Sequence, residues 1–244
     1  MWDRKNDDWE EDLLYGCIRK YQPEAMIINN TGLNALGMLG HIELDSVTFE
    51  RGKPQPINQK GAQKYVASEM CEIFGDHWGY AAEDLNYKSP ALMIEELAEC
   101  RKYGANMLIN VGPMGDGSLR QMDNATLGVI GQWVNYFDEA IRRPRPTGIK
   151  IENKAKDFIL RDGKNYYLFC FNLHIEHNEN VTAWHENENS LNHFEFDEEI
   201  ESVTWLDNGA DVTFVKDKNK MSIFTEPFVY GRSLVVRVAK IICK

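Results

Sequence analysis

The chain has 244 residues, with 27 Lys and Arg against 38 Asp and Glu, a net charge of −11 and 43% hydrophobic residues. No stretch reaches the roughly 18 uninterrupted apolar residues of a membrane-spanning helix, and the acidic opening MWDRKNDDWEED is not a secretory signal peptide. The acidic balance also excludes a protein that wraps nucleic acid, which needs a basic face.

Five cysteines, at 17, 71, 100, 170 and 243, are odd in number, scattered, and free of any CxxC pair. That usage fits reduced thiols in a reducing compartment, and hence a cytoplasmic protein, better than a disulfide framework or a zinc site. The length falls just short of the roughly 250 residues of a complete eightfold α/β barrel.

In chain order, residues 9–21 place Leu13, Leu14, Cys17, Ile18 and Tyr21 at helical spacing and stop before Gln22-Pro23. Residues 25–28, Ala-Met-Ile-Ile, read as a short buried strand leading into the polar loop Asn29-Asn30-Thr31-Gly32. Ser89-Pro90 is an N-cap followed by a proline at the first helical position, and that helix carries Leu92, Met93, Leu97 and Cys100 inward before Gly104. Met107-Leu108-Ile109 is a second apolar strand, closed by a glycine-rich turn over 110–117. A long helix over about 124–141 buries Leu127, Ile130, Trp133, Val134 and Phe137. Apolar strands alternating with amphipathic helices predict a parallel sheet covered by helices.

Arg142-Arg143-Pro144-Arg145-Pro146-Thr147-Gly148 marks a boundary, because each proline biases its predecessor away from helix. Beyond it the period changes to two, with strands expected at 155–159, 166–173, 203–205, 212–215, 221–224 and 234–238. Asp162-Gly163 and Asn208-Gly209 are turn signals. Residues 176–198, rich in Asn, Glu and His, read as a long polar loop. The expected architecture is an α/β domain over 1–147 followed by a β-sandwich over 148–244.

Several motifs lead nowhere. The run from Gly112 to Gly117 follows a strand but lacks both the GxGxxG spacing and a following Lys-Ser/Thr, so it reads as a tight turn rather than a phosphate cradle. His174 and His177 sit where a spacing of three need not share a face, and they are too few for a metal site. The three N-x-[ST] matches, beginning at Asn29, Asn124 and Asn180, read as incidental. No cofactor and no metal is expected.

The carboxylates carry more information. Glu50, in Asp45-Ser46-Val47-Thr48-Phe49-Glu50, and Glu69, in Ser68-Glu69-Met70-Cys71, lie in segments that mix apolar and polar residues. Spacing alone admits two readings: salt-bridged structural residues, or cleft carboxylates of the paired kind that glycoside hydrolysis uses. Trp78 and Tyr80 of His77-Trp78-Gly79-Tyr80, and Asn29-Asn30, are the aromatic and hydrogen-bonding groups that a sugar needs.

These residues resemble a family. Trp78-Gly79-Tyr80 resembles the WGY signature of the retaining α-L-fucosidases of glycoside hydrolase family 29. The stretch from Ala105 to Gly117 resembles that family's GNLLLNIGPxxDG, and Gln22-Pro23 with Asn29-Asn30 resembles its QP…NNR, with Thr31 where Arg is usual. The resemblance implies the C-terminal portion of a (β/α)8 TIM-like barrel over 1–147, then a β-sandwich over 148–244. It implies removal of terminal α-L-fucose from glycoconjugates or oligosaccharides, with a fucosylated glycan as substrate and neither nucleic acid nor membrane as partner.

Carried over residue by residue, Asp45, Thr48 and Glu50 match a D-x-x-T-x-E segment whose Glu is the acid/base, which makes Glu50 the first choice. Glu69 matches the Glu of WE-x-C, with Ser68 in place of Trp, and is the second choice; Asn30, Trp78 and Tyr80 match pocket residues. The family's nucleophile, the Asp of W-x-D-G, aligns immediately before Met1, and Asp3 is the only carboxylate near that register. The expectation is therefore a chain that lacks the nucleophile and has little activity alone. Its exposed strands would be covered by an N-terminal barrel half or by a second copy. A non-catalytic carbohydrate-binding protein and a truncated structural remnant are the competing readings.

Overall fold

The structure, a computed structural model, describes residues 10–29, 41–52, 54–56, 63–176 and 191–244. The chain forms two compact units: one from Met1–Tyr87 with Tyr103–Ser118, the other from Lys88–Lys102 with Leu119–Lys244.

The first unit opens with α1 (Glu11–Tyr21). Glu11 and Asp12 in its first turn and Arg19 and Lys20 in its last oppose the helix dipole at both ends. Four parallel strands follow in sheet order: β1 (Ile28–Asn29), β2 (Ser46–Glu50), β3 (Ala67–Ile73) and β4 (Asn106–Asn110). The strand expected at 25–28 is shorter and later than its apolar run suggested. Ile27 is already buried against α1, whereas Ile28 of β1 is 51% exposed.

One face of this sheet is apolar and helix-covered, because Val47 and Phe49 of β2 pack with Leu44, Val66, Ile27 and Tyr15 of α1. Strand alternation sends Thr48, Glu50, Glu69 and Cys71 to the opposite face, which is only half-buried. Sequence order along this sheet equals spatial order, the expected outcome where each parallel strand follows its neighbour.

The second unit contains α2 (Pro90–Lys102), α3 (Gln121–Tyr136), α4 (Asp138–Arg142) and all the antiparallel strands. The Ser89 hydroxyl accepts from Leu92 N at 3.1 Å, so the expected cap is formed. The long helix expected over 124–141 starts three residues earlier and breaks at Phe137, whose backbone leaves helical geometry (φ −120°, ψ 23°). Phe137 is fully buried.

Two antiparallel sheets complete this unit. One has the order β5 (Arg145–Pro146), β6 (Phe158–Asp162), β7 (Asn165–Phe171), β12 (Val236–Cys243), β9 (Ile200–Trp205). The other has the order β10 (Phe214–Asp217), β11 (Lys220–Phe224), β8 (Leu191–Glu195). Their inner faces share one core, with Ile159, Leu168, Val203, Trp205 and Ile241 against Phe194, Met221 and Ile223, which is the β-sandwich expected from the turn-rich C-terminal sequence. Burying each such side chain contributes roughly 1.5–3 kcal/mol.

The outer face of the five-stranded sheet is covered as well: Trp133 of α3 donates its Nε1–H to Val236 O at 2.8 Å. Burial on both faces explains why Tyr166 to Phe171 forms an unbroken buried run rather than an alternating one.

The polar loop expected over 176–198 is corrected in part, because residues 191–195 form β8. Its buried alternate positions are Phe194 and Asn192, and a buried Asn hides the strand from a hydrophobicity pattern. Asn192 Nδ2 donates to Asp157 Oδ2 at 2.7 Å, and its Oδ1 accepts from Lys154 Nζ and Thr225 Oγ1. Residues 177–190 lie outside the described residues.

Candidate active site

Parallel register places Thr48 opposite Glu69 and Glu50 opposite Cys71. Partners in a ladder share a face, so Glu50 and Glu69 emerge on the same side of adjacent strands, two residues apart along the strand direction. Glu50 is the last residue of β2, at the C-terminal edge of the sheet. The Cys71 thiol lies between them and donates to Glu69 Oε1 at 3.5 Å. Burial first, then the Glu69 charge and hydrogen bond, then the Glu50 charge, push this thiol up to about 11. A thiol so raised stays neutral at working pH, so the carboxylates flank a polarizable group that carries no charge.

The Asp of the same motif has a different task. Asp45 Oδ2 accepts from Ile27 N at 2.8 Å and from Arg19 Nη2 at 3.0 Å, and its Oδ1 accepts from Lys64 Nζ at 2.7 Å. The Lys64 bond, then the Ile27 backbone bond, hold its carboxyl down at about 2. Arg19 also donates to Ala25 O and to Glu43. Asp45 therefore ties α1 and the start of β1 to the start of β2, and so fixes the strand that ends in Glu50. Nothing in the sequence distinguished this anchoring carboxylate from a catalytic one, since Arg19 and Lys64 reach it only in the fold.

Trp78 and Tyr80 sit on the loop that leaves the C-terminal end of β3, and they are 39% and 45% exposed. Two devices from β4 and its turn hold that loop. Asn110 Nδ2 donates to Trp78 O at 2.5 Å. Gly112 lies so close that a Cβ there would meet Tyr80 N at 2.3 Å and Gly79 C at 2.5 Å. Glycine is required here by close backbone approach.

Asp84, missed by sequence reasoning, pins the other side of the loop. Its Oδ2 accepts from Asp76 N at 2.7 Å and from the His77 ring at 3.0 Å, and its Oδ1 accepts from Asn86 N at 3.2 Å. The His77 bond is the main reason its carboxyl is drawn down to about 2. A D-x₇-D pattern has no recognisable period, so no signal pointed to it.

The glycine-rich run after β4 is a turn: Ser118 O accepts from Met114 N at 2.8 Å, Ser118 N donates to Asp116 Oδ1 at 3.0 Å, and Gly117 has φ +83°. Asn30, the remaining candidate substrate residue, lies outside the described residues, as do Asp3 and His177. The sheet thus brings Glu50, Glu69 and Cys71 together, and places the Trp78–Gly79–Tyr80 loop at the strand ends where parallel α/β sheets bind ligands.

Comparison with known proteins points the same way. The family model described as Alpha-L-fucosidase matches residues 1–139. A tissue alpha-L-fucosidase of Mus musculus is 30% identical over 114 residues, covering 45% of this chain and 25% of that protein. Among solved structures, alpha-L-fucosidase isoenzyme 1 from Paenibacillus thiaminolyticus superposes with a TM-score of 0.74 at 21% identity, over 100% of this chain and 56% of that one. A family-29 alpha-L-fucosidase from Bacteroides thetaiotaomicron, trapped as a covalent intermediate with 2-fluoro-fucosyl fluoride, gives 0.70 at 20% identity, over 99% of this chain and 54% of that one. The fold is shared with these two enzymes, and the chain spans about half of their length.

Proposed function

Because the chain belongs to the α-L-fucosidase family, we propose that its parallel sheet carries the acid/base side of a retaining site for terminal α-L-fucose. The observation that carries this reading is the pair of carboxylates, Glu50 and Glu69, on one half-buried face around Cys71. The covalent intermediate trapped in the Bacteroides enzyme supports a double-displacement route.

In this scheme β1 to β4 form one half of a (β/α)8 barrel within residues 1–147, and residues 148–244 form the supporting sandwich. The edge strands β1 and β4 leave Ile28 51% and Leu108 43% exposed on the carboxylate-bearing face, as expected of a sheet continued by further strands. No described residue matches the family's W-x-D-G, and the reading takes the attacking carboxylate from the part of the barrel that β1 to β4 do not supply. Glu50, at the strand end, gives its proton to the leaving glycosidic oxygen as the nucleophile attacks the anomeric carbon. It then takes a proton from the water that releases fucose. Glu69 and the Trp78–Tyr80 loop bind the sugar.

The test is hydrolysis of 4-nitrophenyl α-L-fucoside by this chain joined to, or mixed with, the family's N-terminal half. Glu50→Gln should lower kcat/KM by roughly 10²–10⁴-fold, and Glu69→Gln should act mainly on KM. Turnover by the 244 residues alone, abolished by Glu50→Gln, would refute the external nucleophile. Full activity in Glu50→Gln would refute the acid/base assignment.

A further inference from the structure

The loop that leaves β3 carries an imidazole held on one edge and open on the other. The His77 side chain is 63% exposed, yet its Nδ1 lies 3.0 Å from Oδ2 of Asp84, whose side chain is only 3% exposed. The Asp84 carboxyl, drawn down to about 2, is ionised at working pH and can only accept, so the proton of this bond sits on His77 Nδ1. In the neutral ring Nε2 is then an acceptor, and it has no partner among the described residues.

The imidazole is not needed to hold the loop. Three backbone N–H groups, those of Asp76, His77 and Asn86, already bind Asp84. Asn86 Nδ2 returns to the Asp76 carboxylate at 3.1 Å, and Gly75 makes room for Asp84, since an added Cβ would run into its Oδ2. The fourth bond to Asp84 therefore adds something else: a fixed tautomer and a fixed ring direction at a solvent-facing position. A buried carboxylate on one ring nitrogen is how proteins aim the other nitrogen at a ligand.

We propose that His77 is a substrate-binding residue of the fucoside site, its Nε2 accepting a hydrogen bond from a hydroxyl of the fucosyl ring. A neutral acceptor suits an O–H group and not a carboxylate or phosphate, which brings no proton at working pH. A metal ion is the other taker of a neutral imidazole, but no group of three metal-ligating side chains occurs among the described residues. The same loop bears the half-exposed rings of Trp78 and Tyr80, at the C-terminal end of the strand that carries Glu69. The proposal rests on the fucosidase reading of this sheet.

Two experiments test it. Long-range ¹H–¹⁵N spectra of the full chain at pH 8, with the His77 signals identified by their loss in His77→Asn, should show the Nδ1–H tautomer. An Nε2–H tautomer would overturn the proposal whether or not the chain is active. The second is kinetic, with the chain joined to the family's N-terminal half and 4-nitrophenyl α-L-fucoside as substrate, whose only hydroxyls are those of the sugar. His77→Asn keeps an N–H near the Nδ1 position and so should retain the parent's thermal unfolding midpoint. It should raise KM roughly three- to tenfold with kcat within about twofold. His77→Gln, which puts an amide oxygen near the Nε2 position, should recover most of that loss. An unchanged KM in His77→Asn, where Glu50→Gln does lower kcat/KM, would overturn this proposal and leave the fucosidase reading standing. A raised KM in His77→Asn with full activity in Glu50→Gln would do the reverse, removing the acid/base assignment and supporting the role of His77.

Discussion

Gly112→Ala is the sharpest test of how the candidate pocket is built. An added Cβ would sit 2.3 Å from Tyr80 N, 2.5 Å from Gly79 C and 2.9 Å from Gly79 O. Ordinary Cβ contacts begin near 3.4 Å, so relief requires about 1 Å of separation between two backbone segments. No rotamer can provide it, because every obstructing atom is main chain. Overpacking a core costs about 1–3 kcal/mol, and the upper end, about 3 kcal/mol, is expected where only the backbone can give way. Gly115, three residues on in the same turn, has nothing within 4 Å of an added Cβ and serves as the control. Gly115→Ala should stay within about 0.5 kcal/mol of the parent.

Urea unfolding followed by tryptophan fluorescence reads both variants. With an m-value of about 2 kcal/mol/M, the Gly112→Ala midpoint should fall by about 1.5 M. Because Trp78 lies on the displaced loop, its fluorescence should also shift before the transition begins. A Gly112→Ala midpoint within 0.3 M of that of Gly115→Ala would refute the close approach and, with it, this account of how the aromatic loop is held.

Other outcomes follow from the paired polar groups. Asp45→Asn removes a carboxylate held at about 2 rather than 3.8. After discounting for its partial exposure, this should cost about 1 kcal/mol at pH 7. Since the folded value is depressed, that stability is present above about pH 4 and is lost as pH falls toward 2. The gap between parent and variant in acid titrations should therefore narrow over that window, and a constant gap would refute the ion-pair account. Asn192→Leu, although it favours a strand by propensity, should destabilise the sandwich by about 2–4 kcal/mol, because Asp157, Lys154 and Thr225 all lose a buried partner. An unchanged unfolding midpoint would refute the role given to that network. Burial raises Asp157. Its own contribution thus favours the folded state at low pH and is lost as pH rises through its folded value, the opposite sense to Asp45.

The sequence by itself determined several local elements and the family, but not β2 and β3, whose segments mix polar and apolar residues. Ser89-Pro90 caps and opens α2, Asp162-Gly163 turns a hairpin, and the Trp78-Gly79-Tyr80 and 105–117 motifs carried the α-L-fucosidase resemblance that the family match supports. These are short-range signals, set by capping, backbone freedom and fixed motif spacing.

Tertiary structure decided which side chains meet. Glu50 and Glu69 share a face only because β2 and β3 pair in parallel with Thr48 opposite Glu69; a slip of one residue would send one carboxylate into the helix-covered core. Asp45 became an anchor and not a catalyst because Arg19 and Lys64, 26 residues before it and 19 after it, converge on it. β8 was illegible because its buried Asn192 is satisfied by three partners from two distant segments, Lys154 and Asp157 in one and Thr225 in the other. Register and long-range pairing are properties of contacts between distant residues, and no local pattern encodes them.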